Sequence, residues 1–198
     1  MNRGNEVRQA LIASAIRVVA AQGIQNATTK AVACQAELSE VYIYRFFESK
    51  DDLFRRTFDE LDKELMCLML TSFKRVITDE SNTDVKTKFR TIFHEFWLFT
   101  LSDKDKCSFF IQYYYSYYYS NHSEEERKTI YQPLLDLIAP AFSKGADPWV
   151  ELNHMYDFIF PKLLRVIRKT VPESKKTEEE IFKYVFGMIE PQLNVQSY

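Results

Sequence analysis

Residues 36–53 read AELSEVYIYRFFESKDDL, and the fold turns on whether this stretch is a loop or a short helix held between two others. Ser39 opens the run as a capping residue. Ile43 and Phe47 lie four apart and point inward with Leu38, while Tyr42 and Arg45 lie three apart on the outer face. Ser49, followed three residues later by Asp52, is a capping box in its acidic variant, and it predicts a longer helix carrying Leu53, Phe54, Phe58, Leu61 and Leu65. The apolar positions keep a helical period across the junction, so the stretch is a short helix with its own outer face.

Working outward, a helix of about eight residues starts at Thr28 or Thr29, with Val32, Ala33 and Ala36 on one side. A turn at Glu37 and Leu38 then joins it to the helix capped by Ser39, which makes a helix-turn-helix. Upstream, Leu11 or Ile12, Ala15 and Val19 repeat at helical spacing and stop at Gly23, as a helix with a C-terminal glycine cap does. Downstream, helix starts are marked by Ser123 with Glu126, by Asp147 before Pro148, and by Thr177 with Glu180. Helices near 83–101 and 105–119 bring the count to nine, and Pro161 should kink the run DFIFPKLLRVI near Asp157. Strand-type alternation is scarcely present, so the fold class is all-α. The boundary falls within the helix that begins near residue 50, giving residues 1–50 as one domain and 51–198 as the other.

Composition bounds the chemistry. With 198 residues and 46% hydrophobic content the chain can bury a core, and a formal charge of −2 advertises neither nucleic acid nor membrane. Any basic footprint is therefore local: residues 1–50 hold six basic side chains against four acidic ones. Cys34, Cys67 and Cys107 form no CxxC pair and have no histidine at zinc spacing, so they read as reduced, buried cysteines rather than a disulfide frame or metal site. The N-terminal apolar stretch is broken by Gln9, Ser14 and Arg17, which fits neither a signal peptide nor a membrane span, and a cytoplasmic protein is expected. Glycines at 4, 23, 145 and 187 build no phosphate-cradling loop, and no nucleophile converges with a base. No catalytic residue, cofactor or metal is expected.

The outer face of the short helix is where chemistry is offered. A helix that presents aromatic hydroxyls and an arginine on its first turns suits the DNA major groove, where base edges and phosphates both lie in reach. Thr28, Thr29 and Lys30, at the start of the preceding helix, supply hydroxyls, free backbone N–H groups and charge for phosphate.

These residues resemble the TetR-type transcriptional regulators. The match runs over roughly residues 8–56 of this chain, in TTKAVACQAELSEVYIYRFFESKDDL: Thr28, Val32 and Ala33, Ala36, Leu38 and Ser39, Ile43 and Tyr44, Phe46 and Phe47, Lys50 and Leu53. Two positions depart from the pattern. Glu37 stands where the turn glycine is usual, and Val41 where a small residue is common. If the turn keeps the family geometry, Glu37 holds a left-handed backbone at a cost of about 1 kcal/mol. The resemblance implies an obligate homodimer, two reading heads on a palindromic operator, and a C-terminal ligand domain whose occupancy releases DNA, as a repressor does. It implies DNA contacts at Thr28, Lys30, Ser39, Glu40, Tyr42, Tyr44, Arg45 and Lys50, with Tyr44 and Lys50 on phosphate. Each has a plainer reading beside it: Thr28 and Ser39 cap helices in any case, Glu40 complements a helix dipole or reads cytosine, and Arg45 and Lys50 serve equally as surface charge.

The second constellation is CSFFIQYYYSYYYSN at 107–121, with six tyrosines in seven residues. It lacks the interleaved Lys or Arg of a single-strand stacking platform, and nothing else in the chain pairs with it as a strand. Read as a helix, it puts aromatics on every face, some for core, some for a cavity, some for a partner. Phe110, Tyr113, Tyr114 and Tyr117, with Phe93, His94 and Trp97 from FRTIFHEFWLF and Tyr156 and Phe160 from HMYDFIFP, form the candidate ligand site, for a small apolar, aromatic or cationic effector. The last two helices, 147–171 and 177–194, carry an apolar seam, Phe158, Leu164, Ile167, Ile181, Val185 and Ile189, for a homodimer interface or for intrachain packing. A helical module controlled by a protein partner is the competing reading.

Overall fold

The computed structural model describes residues 3–79 and 84–194, leaving aside the side chains of residues 121 and 122. Among the described residues there are nine α-helices: α1 (Arg3–Gln22), α2 (Thr29–Gln35), α3 (Val41–Phe46), α4 (Lys50–Thr78), α5 (Val85–Ser102), α6 (Lys104–Tyr114), α7 (Asn121–Ile138), α8 (Pro148–Ile167) and α9 (Lys175–Ile189). The only extended pairing among them is one isolated antiparallel bridge, Phe142 with Leu193. The start expected near residue 83 for α5 lies outside the described residues. The chain forms two compact units, residues 1–63 with 103–123, and 64–102 with 124–198. The first unit thus takes in more than residues 1–50, because the helix after Ser102 packs with it.

In the first unit, α1 turns Leu11, Ala15 and Val19 fully inward. It ends at Gly23, whose φ of 84° is open to glycine without strain. The exposed last carbonyls of a helix need partners, and α6 supplies one: Gln112 Nε2 donates to Val19 O at 3.3 Å, while its Oε1 accepts from Ile24 N at 3.0 Å. Phe58 stacks on Phe110 and Tyr113 at ring separations of 4.7 and 4.6 Å, and Phe54 meets Phe109 edge-on at 5.9 Å. The tyrosine run leaves the helix earlier than residue 119. Ser116 Oγ donates to Tyr113 O at 2.7 Å and accepts from Tyr118 N at 3.2 Å, so a side chain competes with the helical ladder and α6 stops at Tyr114.

In the second unit, α5 and α9 join through Phe93 and Phe182 at 5.6 Å and Phe89 and Phe186 at 5.8 Å, while Tyr156 stacks on Phe160 at 4.9 Å. Arg127 is buried, with its guanidinium carbon 4.8, 5.5 and 5.1 Å from the rings of Tyr131, Trp149 and Tyr156 and a 3.2 Å bond to Asn153 Oδ1. Pro161 lies inside α8, which continues through it to Ile167, and Pro133 lies likewise inside α7. Asp147 caps α8 as expected, accepting from Trp149 N at 2.9 Å. The cap of α9 is Ser174, not Thr177: Ser174 Oγ accepts from Thr177 N at 3.2 Å, and the Thr177 hydroxyl donates instead to Pro172 O at 2.7 Å. Likewise α7 begins at Asn121, ahead of Ser123.

Three expectations about burial change. Cys34 and Cys67 are exposed, and only Cys107 is buried. Burial, reinforced by the charge of Asp103, pushes the Cys107 thiol up to about 12. Ile181, Val185 and Ile189 pack inside their own chain, so they are not a seam for a second copy; the exposed apolar residues of α9 are Tyr184 and Met188, and Phe158 of α8 lies half-buried beside Tyr184 at 5.8 Å.

Candidate nucleic-acid interface

The outward face of α2 and α3 is set by what holds its inward face. Ile43 and Phe47 are essentially inaccessible, and Val32 and Ala33 seal α2 beneath them. Arg8 spans to Glu60 at 2.7 Å, and its guanidinium carbon lies 5.7 Å from the Phe47 ring, so α1, α3 and α4 are tied at one point. The turn between α2 and α3 places Glu37 at a φ of 57°, the left-handed backbone anticipated for it. Leu38 N bonds back to Ala33 O at 2.9 Å and closes the turn.

Thr28 caps α2, its hydroxyl accepting from Ala31 N at 3.1 Å. The helix therefore opens toward solvent with Thr28 and Lys30 exposed and Thr29 half-buried. Thr29 Oγ1 donates to the Glu40 carboxylate at 2.5 Å, which locks the start of α2 to the start of α3. The N-cap of α3 is Glu40 rather than Ser39, and it makes no side-chain cap bond, because its carboxylate is turned to Thr29. Ser39 is exposed beside it and gives its carbonyl to Tyr42 N at 3.0 Å.

On α3, Tyr42 and Tyr44 are 37% and 59% exposed, and Arg45 is exposed with its guanidinium carbon 5.9 Å from the Phe46 ring. Arg45 and Lys30 make no ion pair among the described residues. Val41 is 75% exposed at the first position of the helix. Sequence reasoning noted it only as a departure from a small residue; its signal was an apolar side chain at an outward position, suited to a thymine methyl. Lys50 is partly spoken for. Its Nζ donates to Ala27 O at 3.1 Å and lies 5.5 Å from the rings of Phe54 and Tyr118, so it fixes the residue before the α2 cap.

The expected ligand set is divided between the two units. Phe110, Tyr113, Tyr114 and Tyr117 belong to the first, where Phe110 and Tyr113 are committed to Phe58. Phe93, His94, Trp97, Tyr156 and Phe160 belong to the second. There, an apolar cavity of about 70 Å³ is lined by Phe73, Val76, Phe89, Ile92, Leu152 and Met155 among others, with Lys88 its one charged residue. A smaller one of about 30 Å³ includes Phe93, Phe96 and Tyr156. Trp97 and Phe160 are buried but line neither, and His94 sits at the surface with its Nδ1 2.6 Å from Glu178. Glu95 is bound to Ser72 and Arg75. The reason lies in local packing, because the α6 rings Phe110 and Tyr113 are taken up by Phe58 of α4.

Residues 11–57 match the bacterial regulatory proteins of the tetR family. The chain is 30% identical over 97 residues to the HTH-type nicotine-responsive transcriptional repressor HdnoR of Paenarthrobacter nicotinovorans, a match spanning 49% of this chain and 47% of that protein. This chain therefore aligns with about half the length of that relative. Among solved structures, a TetR family transcription regulator from Marinobacter aquaeolei superposes with a TM-score of 0.73 at 18% identity, covering 94% of this chain and 96% of the other. SmeT, the repressor of the multidrug efflux pump SmeDEF of Stenotrophomonas maltophilia, superposes with a TM-score of 0.63 at 12% identity, covering 96% and 92%. At these identities the structural likeness is one of fold.

Proposed function

We propose that this chain, which carries the TetR-family N-terminal domain on residues 11–57 and the TetR-type fold along its length, is a transcriptional repressor that binds a palindromic operator and is released by a small effector. The observation that carries the reading is the outer face of α3, where Tyr42, Tyr44 and Arg45 stand exposed over a core sealed by Ile43 and Phe47. Tyr42 and Arg45 read base edges, Tyr44, Thr28 and Lys30 position on phosphate, and Ser39 lies close enough to join them. Glu40 and Lys50 act first within the protein, on Thr29 and Ala27, and present the reading face. The protein acts by binding rather than by catalysis.

Two copies are needed for a palindrome, with half-sites about one helical turn apart. We assign that pairing to the outer faces of α8 and α9, where Tyr184 and Met188 are exposed. For the effector, the apolar cavity of the second unit is the supported place, and the nicotine response and pump control stated for the two relatives support a small organic molecule. At about 70 Å³ that cavity admits a sizeable guest only if its aromatic walls move.

The test is selection from a random-sequence DNA pool, followed by affinity on the selected and a scrambled duplex across a salt series. Binding should weaken steeply with salt, as phosphate contacts require. Arg45→Ala should lose about 1 to 3 kcal/mol on the selected duplex and little on the scrambled one. Equal loss on both removes the base-reading role, and a pool that enriches no sequence removes the regulator reading.

A further inference from the structure

The tyrosine run has a feature that DNA reading leaves unused. Within the first unit, the start of α4 and the turn after α6 enclose a cleft of about 300 Å³, walled by Tyr113, Tyr117 and Tyr118 and by Glu48, Asp51, Asp52 and Arg55. Three carboxylates and one guanidinium line it. Asp52 and Arg55 are already matched at 2.9 Å, and Asp52 also holds Arg56 at 2.9 Å. Glu48 and Asp51 are exposed and make no ion pair among the described residues. The aromatic side is equally open: Tyr117 is 69% exposed, with its ring 4.1 Å from that of Tyr118, which lies 6.1 Å from Tyr113.

We propose that this cleft binds a small organic ammonium ion, its charge against Glu48 and Asp51 and its alkyl shell against the face of Tyr117. Aromatic faces attract cations and their carbon shells, and adjacent carboxylates add Coulomb attraction. The wall already receives one cation of the protein itself, since Lys50 Nζ lies 5.5 Å from the Tyr118 ring. An anion is repelled by the carboxylates. A metal ion is poorly served, because among the described residues no three carboxylate, histidine or cysteine groups converge to hold one. Rings beside the acids therefore select a bulky, weakly hydrated cation. A guest here also neighbours the Lys50 tether to Ala27, so its occupancy bears on the start of α2. That consequence rests on the repressor reading, whereas the binding does not.

The experiment is calorimetric titration of the full chain with choline and with its neutral isostere, in which a tert-butyl group replaces trimethylammonium. Choline should bind saturably and the isostere at least about ten-fold more weakly. Tyr117→Leu, and separately the pair Glu48→Gln with Asp51→Asn, should each weaken choline about ten-fold without moving the thermal midpoint. Equal binding of the isostere, or full choline affinity in both variants, overturns the site. The same proteins go through the DNA selection: sequence retention with no choline binding sinks the cleft alone, while choline binding without sequence retention upholds the cleft and sinks the repressor reading.

Discussion

Glu37, like Lys169, is a residue whose side chain sits against its backbone preference. At a φ of 57° a side chain with a Cβ crowds the following carbonyl, and glycine does not. Replacement frees more backbone entropy in the unfolded chain, which offsets part of the gain. Glu37→Gly should still stabilise the protein, by about 0.5 kcal/mol, read as a higher urea midpoint with an unchanged slope. A lower midpoint would mean that the Glu37 side chain earns its place through contacts beyond the turn. Thr29 and Glu40 teach a related lesson at this scale, because two residues offered to DNA by position are in fact bonded to each other.

At the scale of the element, the start of α4 is organised by Asp52. Ser49 Oγ accepts from Asp52 N at 3.1 Å, and the Asp52 carboxylate reaches back to Glu48 N at 3.1 Å, which completes the capping box one residue earlier than its usual return. The same carboxylate bonds Arg55 and Arg56. Its burial works against the charge, yet the Arg56 hydrogen bond, the Glu48 N–H and the charges of Arg56 and Arg55 outweigh it and hold the carboxyl below its ordinary 3.8. A carboxyl whose folded value is depressed contributes stability that is present above the unfolded value and lost as pH falls through the folded one. Asp52→Asn should therefore cost on the order of 1 kcal/mol near neutral pH, and the deficit should close below about pH 4. Melting curves from neutral to acid pH measure it, and a deficit that stays constant with pH would remove the charge from the account.

For the whole molecule, the question is which face of α9 meets a second copy. Val185 is fully buried and Tyr184, its neighbour, is 65% exposed. In the proposed pairing, Tyr184→Glu should convert a dimer of twice 23.5 kDa into a monomer by light scattering, with the fold intact. Val185→Glu should instead unfold the chain, since an unpaired charge in a core costs several kcal/mol, on the order of 3 or more. A wild type that scatters as a monomer, or a Tyr184→Glu protein that stays dimeric, would move the interface elsewhere.

The all-α class, the helix-turn-helix and the outward set Tyr42, Tyr44 and Arg45 were legible in the residue order, because helical period and capping act over three or four residues. The left-handed Glu37 was legible through the family resemblance. What the order could not decide is where competing partners go. Every aromatic of the 107–121 run is suited equally to core, cavity or surface, and only the packing of α6 on α4 committed Phe110 and Tyr113 to Phe58. The same holds for α9, whose apolar stripe at Ile181, Val185 and Ile189 has the period of a helix interface whichever helix it meets. Local spacing determines which face of a helix is apolar, whereas which surface covers it depends on contacts between residues far apart in the chain, and those exist only once the chain has folded.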